Sequence, residues 1–282
     1  MGIGLGLLAL AIIEFGNAIV APFFAPTDAD WVAAARIVRE AWKPGDLIVA
    51  APDFADPLMR QQLGDLLPQP LVGRMDAARF GRIWEISQRG ARAEDCKGLS
   101  STQETKRGAL TVKRFDRKAA EITYDFFAHW RDGQLAYLAP DGREVPCVLQ
   151  ETHHQCFEGN VSLRRQMLEI DTRPRAMLST APPAVGTTVF EYRQVPMGTE
   201  LAVGAGLHNV WLRKSGDGVV KLRVLVDGRE LSVLEAKSLS GFTLRKLDTR
   251  AVAGRTATVR FEITTNNPAA RHLGFVAEAR NP

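Results

Sequence analysis

Apolar and polar positions divide the chain into three stretches of different period. From Ile3 to Ala25 the sequence is almost continuously apolar, broken only by Glu14 and Asn17. These 23 residues, at ~1.5 Å of helix each, just cross a hydrocarbon core of ~30 Å, so a transmembrane helix is predicted over 1–27. From residue 28 to 117 helical and strand periods alternate. Trp31, Ala34, Ala35, Val38 and Trp42 recur at helical spacing, with Asp28 or Asp30 placed to cap the helix and Pro44-Gly45 to end it. Asp46 to Ala51 is a short apolar run, the pattern of a strand covered on both faces. A second helix is expected over 56–66, before Pro68, and a strand over 80–86.

From 118 to 282 most segments alternate with period two between turn residues. Asp141-Gly142 and Asp227-Gly228 read as hairpin turns. Further strands are expected over 163–170, 176–180, 187–192, 200–203, 210–213, 242–247, 257–264 and 273–279, with Val224, Val226, Val259, Phe261 and Ile263 facing the core. The expected fold class is α+β: an N-terminal transmembrane helix (1–27), a small α/β layer domain (28–117) and an antiparallel, jelly-roll-like β-sandwich (118–282). Residues 90–108 hold almost no large apolar side chain and are expected to form a loop.

Twelve Leu, Ile, Phe and Val side chains in the apolar segment each favour insertion by roughly 0.3 to 0.6 kcal/mol, whereas a mid-span carboxylate costs about 2.5 to 3.5 kcal/mol. Glu14 is therefore a candidate contact with a neighbouring membrane helix, and Gly2 with Gly6 has the spacing for close approach. The alternative is that Glu14 is merely tolerated. A cleaved signal peptide competes with the anchor, but no Lys or Arg precedes the apolar run. Gly6 stands where a myristoylation motif needs Ser or Thr.

Arg36, Arg39 and Lys43 follow the segment and by themselves favour a cytoplasmic C-terminal side. The cysteines point the other way. Cys147 and Cys156 flank a short stretch that can turn back on itself, and a disulfide there would contribute very roughly 2 to 3 kcal/mol in an oxidising compartment. Two buried free thiols are the alternative. With the disulfide, the chain is a single-pass protein of the cytoplasmic membrane with its domains outside, in the periplasm, and Cys96 is left as a single thiol.

Candidate chemistry is sparse. Asp53 and Asp56 follow the apolar strand at the position where α/β units bind ligands, with Arg60 one turn on; both acids are also ordinary helix-capping residues. His208, Asn209, Trp211 and Arg213 form a candidate sugar-binding cluster, with a core tryptophan and a rim arginine as the plainer reading. Arg164, Arg165, Arg173 and Arg175 suit an acidic glycan or a solvated strand face. His153 and His154 beside Cys156 suggest a metal, yet adjacent strand positions face opposite ways and no second ligand cluster has zinc spacing. No catalytic residue, cofactor or metal is expected. A net charge of +4 without aromatic-interleaved basic runs argues against nucleic acid.

The stretch DWVAAARIVREAWKPGDLIVAAPDFADPLMRQQLGDLLP, followed by DAARFGRIWEIS, resembles the soluble segment after the last transmembrane helix of GT-C polytopic glycosyltransferases. IDTRPRAMLSTAPP, VPMGTEL, AGLHNVWLRKSGDGVVKLRVLVDGRE and RHLGFVAEAR are similar to the β-rich ends of related bacterial envelope proteins. The resemblance implies an extracytoplasmic tail without the multi-helix catalytic part. The function expected is a membrane-anchored, non-catalytic module of envelope glycan assembly or recognition. One alternative is the soluble part of a split transferase that needs a polytopic membrane partner, and another is a purely structural envelope protein.

Overall fold

The computed structural model describes residues 6, 15, 25–171, 173–208, 218–237, 240–267 and 272–282. Glu14, nearly all of the expected anchor and the expected strand over 210–213 lie outside them. Among the described residues no helix is long and apolar enough to cross a membrane. The chain divides into two compact units, Met1–Pro68 with Phe80–Lys118, and Gln69–Arg79 with Ala119–Pro282.

The first unit begins with helix α1 (Asp28–Ala41), which buries Trp31, Ala34, Ala35 and Val38. Its cap is Thr27 rather than either aspartate. Thr27 has the extended backbone a cap needs, its hydroxyl accepts from the Asp30 N–H, and the Asp30 carboxylate accepts from the Thr27 N–H. Asp28 and Asp30 lie inside the first turn, where they complement the helix dipole. Strand β1 (Leu47–Ala51) is buried along its whole length. Helix α2 (Asp56–Leu63) follows, then a single 3-10 turn, Gly64–Leu66, so the expected helix over 56–66 changes pitch at Gly64. Strands β2 (Arg82–Gln88), β3 (Gln103–Arg107) and β4 (Leu110–Asp116) complete a sheet of order β1-β2-β4-β3. β1 and β2 run parallel; the other pairs are antiparallel.

The expected loop over 90–108 is thus shorter than its composition suggests, because β3 is a polar edge strand held by backbone pairing to β4. The remaining loop is fixed from below. Glu85, on the central strand and 0% exposed, accepts from the Ala93 N–H at 2.8 Å. Arg92 stacks over the Phe115 ring at 4.3 Å and donates to the carbonyls of Cys96 and Leu99. Cys96 is buried here, and burial, then the charge of Glu85, pushes its thiol far above the ordinary range.

The second unit takes in helix α3 (Gln69–Val72) and, among the described residues, fourteen strands. These are β5 (Glu121–Asp125), β6 (Gln134–Leu138), β7 (Glu144–Pro146), β8 (Val148–Leu149), β9 (His153–Cys156), β10 (Val161–Ile170), β11 (Arg173–Thr180), β12 (Thr187–Pro196), β13 (Glu200–Leu207), β14 (Val220–Val226), β15 (Arg229–Ala236), β16 (Thr243–Asp248), β17 (Thr256–Thr265) and β18 (Leu273–Asn281). One sheet has the order β16-β13-β18-β11-β10-β9-β8, with β5 also pairing β18; the other is β15-β14-β17-β12-β6-β7. All pairs are antiparallel. The two sheets share one core. Leu163, Leu178, Leu201, Val203 and Phe275 of the first sheet join Phe190, Tyr192, Val224, Val259, Phe261 and Ile263 of the second. The Asp227-Gly228 turn has positive φ at both residues (48° and 79°), the geometry that matches strand twist in a two-residue hairpin.

A second apolar layer lies on the other side of the eight-stranded sheet. Leu168, Ile170, Met177, Ala202 and Val276 pack there with Met75, which belongs to the excursion Gln69–Arg79. Gly73 in that excursion accepts from the Ala176 N–H at 2.8 Å, and a Cβ at Gly73 would stand 2.7 Å from that same nitrogen. Only glycine permits this approach.

Candidate functional site

In the first unit, β1 and β2 end side by side because they are parallel, and the turns after them frame an open cleft. It is lined by Ala25, Pro26, Pro52, Phe54, Gln88, Arg89 and Ala91, with a volume of about 370 Å³. Phe54, in the turn Asp53–Ala55, is 76% exposed, and Arg89 holds a left-handed backbone at φ 53°. The acids singled out by position serve the local fold. Asp53 opens that turn, and Asp56 heads α2 and pairs with Arg60 at 2.5 Å. They are not among the cleft-lining residues.

In the second unit, His208 follows β13, and its N–H donates to the His272 carbonyl at 3.1 Å just before β18. Burial lowers the His272 pKa, and the nearby His208 and Arg164 lower it further. Arg164 is exposed on β10, beside His153 on β9 and Ser179 on β11. Strand register thus gathers His208, His272 and Arg164 at one end of the eight-stranded sheet, although 208 and 272 are far from 164 in sequence. Asn209, Trp211 and Arg213 lie outside the described residues.

Two of the other arginines stand against aromatic rings. The Arg175 guanidinium is 3.7 Å from the centre of Phe242, and Arg165 is 4.9 Å from Phe127. Arg175 also donates to the Met75 carbonyl at 3.5 Å, which ties β11 to the 69–79 excursion. The six-stranded sheet carries a different pattern. Arg260 meets Glu144, Glu191 and Glu262 at 2.9 to 3.3 Å, and Arg223 meets Glu262 and Glu230. There two arginines stand among four glutamates, so that face of the six-stranded sheet is acidic where the other cluster is basic.

Cys147 and Cys156 are joined as a disulfide, with Cα atoms 4.4 Å apart. His153 and His154 face opposite ways along β9. His154 is buried between Trp130 and Phe190, with ring centres 5.5 and 5.3 Å away, and burial lowers its pKa. Among the described residues no group of three or more His, Cys, Asp or Glu side chains could hold a metal ion.

Sequence reading missed the cleft residues Phe54 and Arg89. Their signal was a lone phenylalanine beside the strand end and an arginine preceding Gly90. It also missed an ionic cluster around the buried Arg280 and Glu278. Arg280 meets Asp76 and Glu200, and Arg79 meets Asp125 and Glu278. The signal there was Glu278 and Arg280 alternating with alanines in an otherwise apolar strand.

No protein-family model matches the chain, and no curated protein sequence matches it. Among solved structures, one similar chain is a CBM51 from Clostridium perfringens GH95 in complex with methyl-galactose, at 9% identity and a TM-score of 0.33, covering 46% of this chain and 94% of that one. Another is a Clostridium perfringens ZmpB structure with CBM51-2 in complex with GlcNAc and INT domains, at 14% identity and 0.35, covering 61% of this chain and 44% of that one. A third is the family 11 carbohydrate-binding module of Clostridium thermocellum with a mixed-linked tetrasaccharide, at 8% identity and 0.26, covering 51% and 95%. All three TM-scores lie below 0.5, too low for the likeness to say what this chain binds.

Proposed function

We propose that the chain is a membrane-anchored, extracytoplasmic, non-catalytic module whose jelly-roll-like sandwich recognises an envelope glycan, with acidic or phosphorylated sugars as the preferred class. The observation that carries this reading is the convergence of His208, His272 and Arg164 at one end of the eight-stranded sheet. Imidazole and guanidinium groups there supply hydrogen-bond donors to hydroxyl and anionic oxygens. The apolar segment before Ala25 supplies the anchor, and the Cys147–Cys156 pair suits an oxidising compartment.

The test is retention of the full-length, detergent-solubilised protein on immobilised envelope polysaccharides, neutral and acidic, at two salt concentrations. Acidic glycans are expected to retain it, with several-fold weaker retention for Arg164→Ala and His208→Ala. Retention of none, or equal retention of these variants, defeats the reading.

A second reading is the soluble part of a split GT-C-type transferase, supported by the sequence resemblance of the first unit and by Glu14 within the apolar segment. It predicts that crosslinking in native membranes recovers a polytopic protein and that Glu14→Leu abolishes the association. Recovery of neither partner nor glycan leaves the purely structural role.

A further inference from the structure

We infer that the cleft at the ends of β1 and β2 seats the first unit on the lipid bilayer, with Phe54 entering the acyl boundary and Arg89 meeting the phosphate layer. This rests on the reading that the apolar segment before Ala25 is membrane-inserted. The occupant follows from continuity of the chain. Ala25 and Pro26 form one wall of the cleft, and Ala25 is the last residue of the apolar run Ile3 to Ala25. If that run is in the bilayer, its final residue lies at the interface, and whatever shares a wall with it lies there too.

The facing wall has interface chemistry. Phe54 exposes 76% of its surface from a strand-to-helix turn, where nothing in the local fold requires an aromatic ring. Leu58, in the first turn of α2, is 44% exposed, and Val32, in the second turn of α1, is 55% exposed. Exposed apolar side chains on one compact unit are costly to leave in water and favourable at a bilayer surface. Arg89 is exposed and makes no ion pair among the described residues, so its guanidinium faces solvent where a lipid phosphate can meet it. Asp56, at the head of α2, is engaged with Arg60.

The experiment places a nitroxide label at Phe54→Cys, or at Val185→Cys in the second unit as a reference that is 61% exposed. Both are made in the full-length Cys96→Ala protein with the Cys147–Cys156 pair left oxidised. The protein is reconstituted alone into phosphatidylethanolamine and phosphatidylglycerol vesicles, and collisions with oxygen and with a nickel chelate are measured. The expected result is several-fold less nickel contact and more oxygen contact at 54 than at 185. A second pair, Phe54→Asp and Arg89→Glu, is expected to raise nickel contact at a label on Leu58→Cys while the protein still floats with the vesicles. Equal nickel contact at 54 and 185 in floating protein overturns the inference and leaves the anchor intact. Protection of 54 that appears only in native membranes assigns the cleft to a protein partner and also overturns it. Failure to float overturns the anchor itself.

Discussion

The Arg280 guanidinium lies 2.9 Å from the Asp76 carboxylate, 204 positions earlier in the chain. Arg280 is only 1% exposed and also meets Glu200 at 2.7 Å and Glu278 at 3.5 Å. Glu278 in turn receives Arg79, yet burial outweighs that cation and its pKa is raised. Two arginines thus offset four carboxylates where the excursion Gln69–Arg79 meets the last strand.

Removing the shared cation is the severe change. Arg280→Met is expected to cost about 3 to 5 kcal/mol, because it leaves buried carboxylates facing one another. Asp76→Asn is expected to cost less, since Glu200 still holds the guanidinium. Urea denaturation of both variants checks the order, and a larger loss for Asp76→Asn would refute it.

The cysteines give a count that is simple to read. Folded, unreduced protein is expected to react with no alkylating agent, since Cys96 is buried and the other two are joined. Unfolding without reductant should release one thiol, and unfolding with reductant three. Mass spectrometry of the alkylated chain decides it; three thiols without reductant would remove the disulfide. Reduction itself is expected to lower stability by roughly 2 to 3 kcal/mol.

His154 makes the second unit sensitive to acid. Burial lowers its folded pKa below the ordinary 6.5. Above 6.5 the ring is neutral in both states and adds no slope. As pH falls below 6.5, the unfolded chain takes up a proton that the folded chain resists, so stability falls, by at most about 1.4 kcal/mol per pH unit. His154→Phe is expected to reduce this slope without abolishing it, because His272 is shifted in the same direction. Denaturation midpoints from pH 7.5 to 5 measure the difference, and unchanged slopes would exclude the mechanism.

Glu85 governs the polar loop above it. Glu85→Leu is expected to leave the Ala93 N–H without its acceptor and to cost about 1 to 3 kcal/mol. The loop should then open, seen as faster hydrogen exchange at 90–100 and as alkylation of Cys96 in folded protein. An inert Cys96 in that variant would show that the loop is held elsewhere.

Strands with strong alternation were legible in the sequence, and the reason is visible in Val224, Val259, Phe261 and Ile263, all fully buried in the shared core. Each repeats a large apolar side chain at the period the pleat requires. Gln103–Arg107 was illegible because an edge strand with exposed side chains leaves no apolar trace. The cap at Thr27 was hidden by two neighbouring aspartates that are equally good caps in isolation. The candidate site was legible at His208 and, separately, at Arg164, but not as one cluster. What joins the two, and brings in His272, is the register of β10, β11, β13 and β18, which no local pattern encodes. Phe54 was hidden for the opposite reason: an apolar residue between Asp53 and Ala55 gives no sign of whether it faces a core or water.

The residues 69–79 have a consequence for inheritance. A gene segment that began at Ala119 would encode every strand of the sandwich, yet it would bare Val276, Met177 and Leu168 and strip Arg280 of Asp76. The sandwich therefore cannot be transposed between genes as a single cassette. Recombination that keeps it folded must carry the chain from residue 69 onward, and with it the strands β2, β3 and β4 that belong to the first unit. That coupling makes the two units one heritable piece.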